Sequence, residues 1–121
     1  MRDERQYLDD IVEAAELIHA HVRFASFEEF EKDQMLQRAV LFNFTVIGEA
    51  SNKLSSTTRE RYPEISWSSM ISFRNIIVHA YFSLSLITVW KAAKRRVVPL
   101  AEQIRAIIKR DFPDDPADTS G

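Results

Sequence analysis

A chain of 121 residues with 45% apolar side chains, 2 Gly and 4 Pro is long enough for one domain around one hydrophobic core, and its composition excludes a disordered polymer. The lack of Cys excludes disulfides, thiolate nucleophiles and Cys-based zinc sites. A formal net charge of -2 gives no general attraction for a polyanion, so a nucleic-acid partner has to be met by a local basic patch.

The charged start from Arg2 to Arg5 does not resemble a signal peptide, and no apolar run is long enough to cross a bilayer. No membrane association is expected, and a cytoplasmic protein is the default.

Helical periodicity dominates in chain order. Leu8, Ile11, Val12, Ala15, Ile18 and Val22 recur at three- and four-residue steps and predict a first helix ending near Phe24. Ser26 with Glu29 forms a capping-box pattern, which restarts a helix there. A second long helix is expected over about Asp33 to Leu54, with Leu36, Ala39, Val40, Asn43, Val46, Ile47, Ala50 and Leu54 as its stripe. Phe42 and Phe44 lie off that stripe, so this helix has more than one apolar face, as a central or subunit-interface helix does. Gly48 within it costs about 1 kcal/mol relative to Ala, which a close helix crossing would explain.

Thr57 with Glu60 forms another capping-box pattern before Pro63. Ser66 is a good N-cap for a third helix, expected to end near Tyr81, with Ile65 and Met70 in hydrophobic-staple positions. Ser83 or Ser85 can cap a fourth helix with Leu86, Val89, Trp90, Ala93, Val97, Leu100, Ile104 and Ile107 inward, and Pro99 is expected to kink it. Residues 111–121 read as an acidic, Pro-rich, disordered tail after a domain over residues 1–110. The expected fold is all-α: four main helices in an up-down bundle with short extra helical turns.

The third helix carries Arg74, Asn75, His79 and Tyr81 among Phe73, Ile76, Ile77, Val78 and Phe82. At about 100° per residue, Asn75 and His79 lie roughly 40° apart, Arg74 and His79 roughly 140° apart, and Arg74 and Tyr81 almost in line. These residue types suit RNA cleavage without a metal or other cofactor. A His can take the proton of an attacking 2′-hydroxyl or return one to the leaving 5′-oxygen, because its ordinary pKa of about 6.5 is near working pH. An Arg guanidinium can meet two oxygens of the crowded phosphate. Asn75 could hold His79 or a phosphate oxygen. One His supplies one proton-transfer group where the reaction benefits from two, and a symmetric dimer would supply the second.

The bland alternative is that Arg74 forms a salt bridge, His79 is a satisfied core His and Tyr81 packs. Lys91, Lys94 and Arg95 with Arg96 form a basic run that could hold an RNA backbone or be a solvated face. Glu49 can pair with Arg74, pair with another helix or face water. His19 and His21 read as surface residues, and Trp67 and Trp90 as core or interface anchors.

The pattern Arg74-Asn75-x-x-x-His79-x-Tyr81 resembles the HEPN superfamily and, within it, the HepT-like branch. Tyr7-Leu8-Asp9-Asp10-Ile11, Val46-Ile-Gly-Glu-Ala50, Arg61-Tyr-Pro-Glu-Ile-Ser-Trp67, Tyr81-Phe82 and Val89-Trp90 extend the resemblance over about Tyr7 to Ile108. The resemblance implies a helical homodimer whose two motifs share a cleft, acting as a metal-independent ribonuclease toxin. It implies an antitoxin of the MntA kind, a minimal nucleotidyltransferase that transfers AMP to the motif Tyr, as in type VII-like toxin–antitoxin pairs. By position, Arg74 and His79 are then catalytic, Asn75 supports them and Tyr81 is the AMPylation site. The alternative function is a non-catalytic helical dimer that binds and positions a nucleotidyltransferase.

Overall fold

The computed structural model describes residues 2–113, and among these the regular structure is entirely helical. The helices are α1 (Glu4–Val22), α2 (Phe27–Lys32), α3 (Gln34–Lys53), α4 (Ser56–Arg61), α5 (Trp67–His79), α6 (Leu86–Arg95) and α7 (Val97–Asp111), with a 3-10 turn at Tyr81–Ser83. Residues 114–121, most of the expected tail, lie outside the described residues. None of the described helices is long and apolar enough to cross a membrane.

Local side chains set the helix starts. Asp3 accepts the Gln6 N–H at 2.9 Å while the Gln6 side chain accepts the Asp3 N–H at 2.8 Å, a reciprocal cap that starts α1. Ser26 and Glu29 close the capping box expected at α2. Asp33 caps α3 through the Leu36 N–H, and Ser85 caps α6 through Thr88. At α4 the expected Thr57–Glu60 box is not used. Ser55 takes the N-cap instead, its hydroxyl accepting the Thr58 N–H at 3.1 Å, and Glu4 reaches across from α1 to accept the Ser55 N–H at 2.8 Å and the Thr58 hydroxyl.

The core lies between α1, α3 and the α6–α7 pair. Leu8, Ile11 and Ile18 of α1 are fully buried with Val40 and Ile47 of α3, Val89 of α6 and Ile104 of α7. Burying such side chains contributes about 1.5–3 kcal/mol each and is the main driving force. Trp67 is buried and donates its indole N–H to the Tyr62 carbonyl at 3.0 Å, and the Tyr62 hydroxyl donates to Asp111 at 2.6 Å. The α4–α5 linker is thereby pinned to the end of α7. Trp90 packs on Phe27 and Phe30, so both Trp residues anchor the fold.

The expected fourth helix differs in its break. It is two helices parted at Arg96, and Pro99 is the third residue of α7. In a continuous helix the proline ring would clash with the Arg95 carbonyl and remove a hydrogen bond. In the first turn of a new helix that N–H would have no helical partner in any case.

Two carboxyls tie the ends of the fold. Burial pushes the Glu4 carboxyl up, but the Thr58 hydroxyl and Ser55 N–H outweigh it and hold it below its ordinary value. Arg110 and then the Tyr62 hydroxyl hold Asp111 below its own. Groups with lowered folded-state values contribute stability that is present above the ordinary carboxylate range and is lost as pH falls through those values. Glu4→Gln and Asp111→Asn are therefore expected to lower stability at neutral pH and flatten the acid limb of a urea-midpoint-against-pH curve. Wild-type slopes in both variants would show that these contacts do not hold in solution.

Candidate active site

The motif rides on α5, which rests chiefly on α3. Gly48 makes that crossing close. A methyl group added there would overlap the Arg74 Cβ and sit 2.7 Å from the Met70 carbonyl oxygen. The close approach suggested by a glycine in mid-helix is thus present, and what it brings against α3 is Arg74.

Arg74 is partly buried and held at both ends of its guanidinium. Nη2 meets the Glu49 carboxylate at 3.0 Å, and Nη1 donates to the Asn75 side-chain oxygen at 3.0 Å. Nε is buried and has no hydrogen-bond partner among the described residues. The Asn75 side-chain oxygen therefore supports Arg74, one of the two residues the family resemblance gave it to support, and not His79. Each Nη carries two N–H groups, so one on each nitrogen remains to address an anion.

His79 is the last residue of α5 and is exposed, with no hydrogen-bond partner among the described residues. This differs from a satisfied core His. The backbone then leaves the helical path at Ala80, φ -141° and ψ 43°, and Tyr81 begins the 3-10 turn. The helix therefore stops short of Tyr81, and the near in-line relation of Arg74 and Tyr81 expected on one continuous helix does not apply. The Tyr81 side chain is 44% exposed, stands edge-on to Phe82, and its hydroxyl is unbonded among the described residues. A purely structural Tyr would be buried and bonded.

Within α5, all of whose residues are described, Trp67 alone is buried. Ile76, Val78 and, just beyond, the fully exposed Phe82 leave apolar surface open beside the motif, as does Phe42 on α3 at 67%. Phe44, the other aromatic off the α3 stripe, is buried and packs edge-on against Phe73.

The basic run on α6 divides. Lys91 and Arg95 line a groove of about 670 Å³ between α5 and the α6–α7 junction, with an apolar floor that includes Phe44, Met70 and Phe73. Arg96, the last residue of the same run, lines the groove beside them. Lys94 is turned to α1, where its ammonium donates to the Val22 carbonyl at 3.1 Å and lies 5.2 Å from the Trp90 ring centre. Its ammonium thus sits at the C-terminal end of α1 and, unlike Lys91 and Arg95, does not line the groove.

Among the described residues no group of three or more His, Asp or Glu side chains is placed to hold a metal ion.

The family described as ribonuclease HepT-like matches residues 11–107. A Thermococcus cleftensis protein named probable ribonuclease HepT is 35% identical over 108 residues, 89% of this chain and 98% of that protein. A Methanocaldococcus jannaschii protein named provisionally as an RNase is 31% identical over 106 residues, 88% of this chain and 97% of its own length. One from Caldanaerobacter subterraneus, named in the same provisional way, is 29% identical over 111 residues, 92% of this chain and 99% of its own. No solved structure matches the chain significantly. With the match spanning α1 to α7 and taking in Arg74 and His79 on α5 and Tyr81 in the turn after it, the chain belongs to the ribonuclease HepT-like family.

Proposed function

We propose that this chain is the toxin of a type VII-like toxin–antitoxin pair, an endoribonuclease of the cytoplasm that cuts RNA without a metal or cofactor. The observation that carries the reading is a guanidinium anchored at both ends on the same short helix as an exposed His.

In this reading His79 takes the proton from the 2′-hydroxyl, and the freed oxygen attacks the adjacent phosphorus. The bond to the 5′-oxygen breaks, and that oxygen receives a proton from the second imidazole, His79 of the partner subunit. The products are a 2′,3′-cyclic phosphate and a 5′-hydroxyl. Arg74 meets the two non-bridging oxygens as charge builds on them. The exposed apolar side chains Ile76 and Val78 of α5, Phe82 just after it and Phe42 of α3, the helix on which α5 rests, support a homodimer formed through α3 and α5. Lys91 and Arg95 are available to an RNA backbone along their groove.

The test is cleavage of a defined RNA by the purified protein in EDTA, with end-group mapping and light scattering on the same sample. Cyclic-phosphate ends from a dimer are expected. Activity that disappears with chelator and returns with magnesium would remove the metal-free mechanism, and an active monomer would remove the shared site. Growth arrest by wild type and His79→Ala alike would favour a non-catalytic dimer that positions a nucleotidyltransferase.

Control is proposed to act at Tyr81. The phenolic oxygen, poorly nucleophilic on its own with a pKa of about 10, attacks the α-phosphorus of ATP once an MntA-like antitoxin has activated it, and pyrophosphate leaves. The exposed, unbonded hydroxyl supports this. The AMP would add bulk and negative charge next to the motif and repel an incoming RNA backbone. Incubation with the neighbouring nucleotidyltransferase and ATP is expected to add one AMP mass on Tyr81 and to stop cleavage. An adduct elsewhere, or equal inhibition of Tyr81→Phe without tight complex formation, would place the switch at another residue.

A further inference from the structure

Glu49 lies at the middle of α3, beside the glycine that lets α5 come close. Its carboxylate is 3.0 Å from Arg74 Nη2, with the Glu side chain 45% exposed and the Arg side chain 27% exposed. An ion pair that open to water contributes little to stability, so stability alone does not account for it. Its geometry does something else. Glu49 holds Nη2 and Asn75 holds Nη1, while Nε is buried without a hydrogen-bond partner among the described residues. Two anchors on different nitrogens set the plane of the guanidinium and stop rotation about the terminal bonds. Each of the two nitrogens has a second N–H, which a phosphate oxygen can take.

Resting on the ribonuclease reading above, we infer that Glu49 is a positioning residue, whose carboxylate presets the Arg74 guanidinium for the phosphate of a bound RNA. Arg has a long side chain with several rotors, and ordering it when substrate arrives would raise the barrier. Ordering it in advance removes that cost from the reaction. Gly48 belongs to the same device, because it brings the Arg74 stem down onto α3 and leaves the guanidinium within reach of the next residue along the helix. Glu49 itself exchanges no proton with RNA.

The test compares wild type with Glu49→Ala and Glu49→Gln. The two readouts are steady-state cleavage across pH and nitrogen-15 NMR of the Arg74 side chain, assigned with Arg74→Lys. Glu49→Ala is expected to lower kcat by about tenfold to a hundredfold, with KM changed much less. Glu49→Gln, which keeps an accepting oxygen, should recover most of that loss, and the shape of the pH profile should stay that of the wild type. The separate Nη signals of a rigid guanidinium should merge in Glu49→Ala and stay apart in Glu49→Gln. Wild-type kcat and unmerged signals in Glu49→Ala would overturn the inference. So would a Glu49→Gln variant as slow as Glu49→Ala that has lost one limb of the pH profile, since that marks a proton-transferring base. A wild type that cleaves no RNA would sink the ribonuclease reading instead, and the NMR comparison would still decide whether Glu49 holds Arg74.

Discussion

His79→Ala and Arg74→Ala are each expected to lower RNA cleavage by at least about a hundredfold, the usual worth of an acid–base or charge-stabilising group. The two substitutions differ in what else they disturb. His79 is exposed at the end of α5 and touches none of the core, so its variant should melt at the wild-type temperature. Arg74→Ala breaks the pair with Glu49 and frees Asn75. Both former partners stay in reach of water, so the stability loss should not exceed about 1 kcal/mol. Cleavage rates of a defined RNA beside circular-dichroism melts separate chemistry from folding. A folded His79→Ala protein cutting at the wild-type rate would remove the imidazole from the mechanism.

Gly48→Ala is expected to act against the ordinary rule for helices. In an open helix that change stabilises by about 1 kcal/mol. Here the new methyl group meets the Arg74 Cβ and the Met70 carbonyl oxygen, and neither is the loose end of a side chain. One helix has to move away from the other, and overpacking of this kind costs about 1–3 kcal/mol. The displaced part is the segment of α5 that carries Arg74, so activity should fall by about two orders of magnitude even where the variant remains folded. Urea unfolding of Gly48→Ala gives the sign directly. A variant more stable than wild type would mean that α3 and α5 do not cross this closely.

The all-helical fold was legible because its signals are local. The Ser26–Glu29 box, the Ser85 cap and the apolar stripe of α1 each depend on residues within a turn or two of one another. At α4 two capping patterns lie two residues apart, and the contact that marks the Ser55 end, its N–H to Glu4, comes from 51 residues away. Lys94 reads as one member of a cationic run until α1 is packed beside it and offers the carbonyl of Val22. At the motif, spacing put Asn75 and His79 on one face of a helix but could not supply the end of that helix at Ala80. Gly48 was the most informative single letter, since its cost in mid-helix required a close neighbour. That the neighbour is Arg74 is a fact of tertiary packing.

The support of α5 bears on when such a protein can act. Only Trp67 of α5 is buried, and Met70, Phe73 and Ile77 are half-covered where the helix leans on α3, so its order is set from one side. Segments of this kind open locally long before the rest of the domain unfolds. If the apolar side of α5 is covered only by a second copy, the motif is firmly held only in the pair, and pairing depends on the square of the copy number. A few newly made chains would then be inert and a burst of them destructive. The dose itself would be a safeguard, set by how little this helix is held from within.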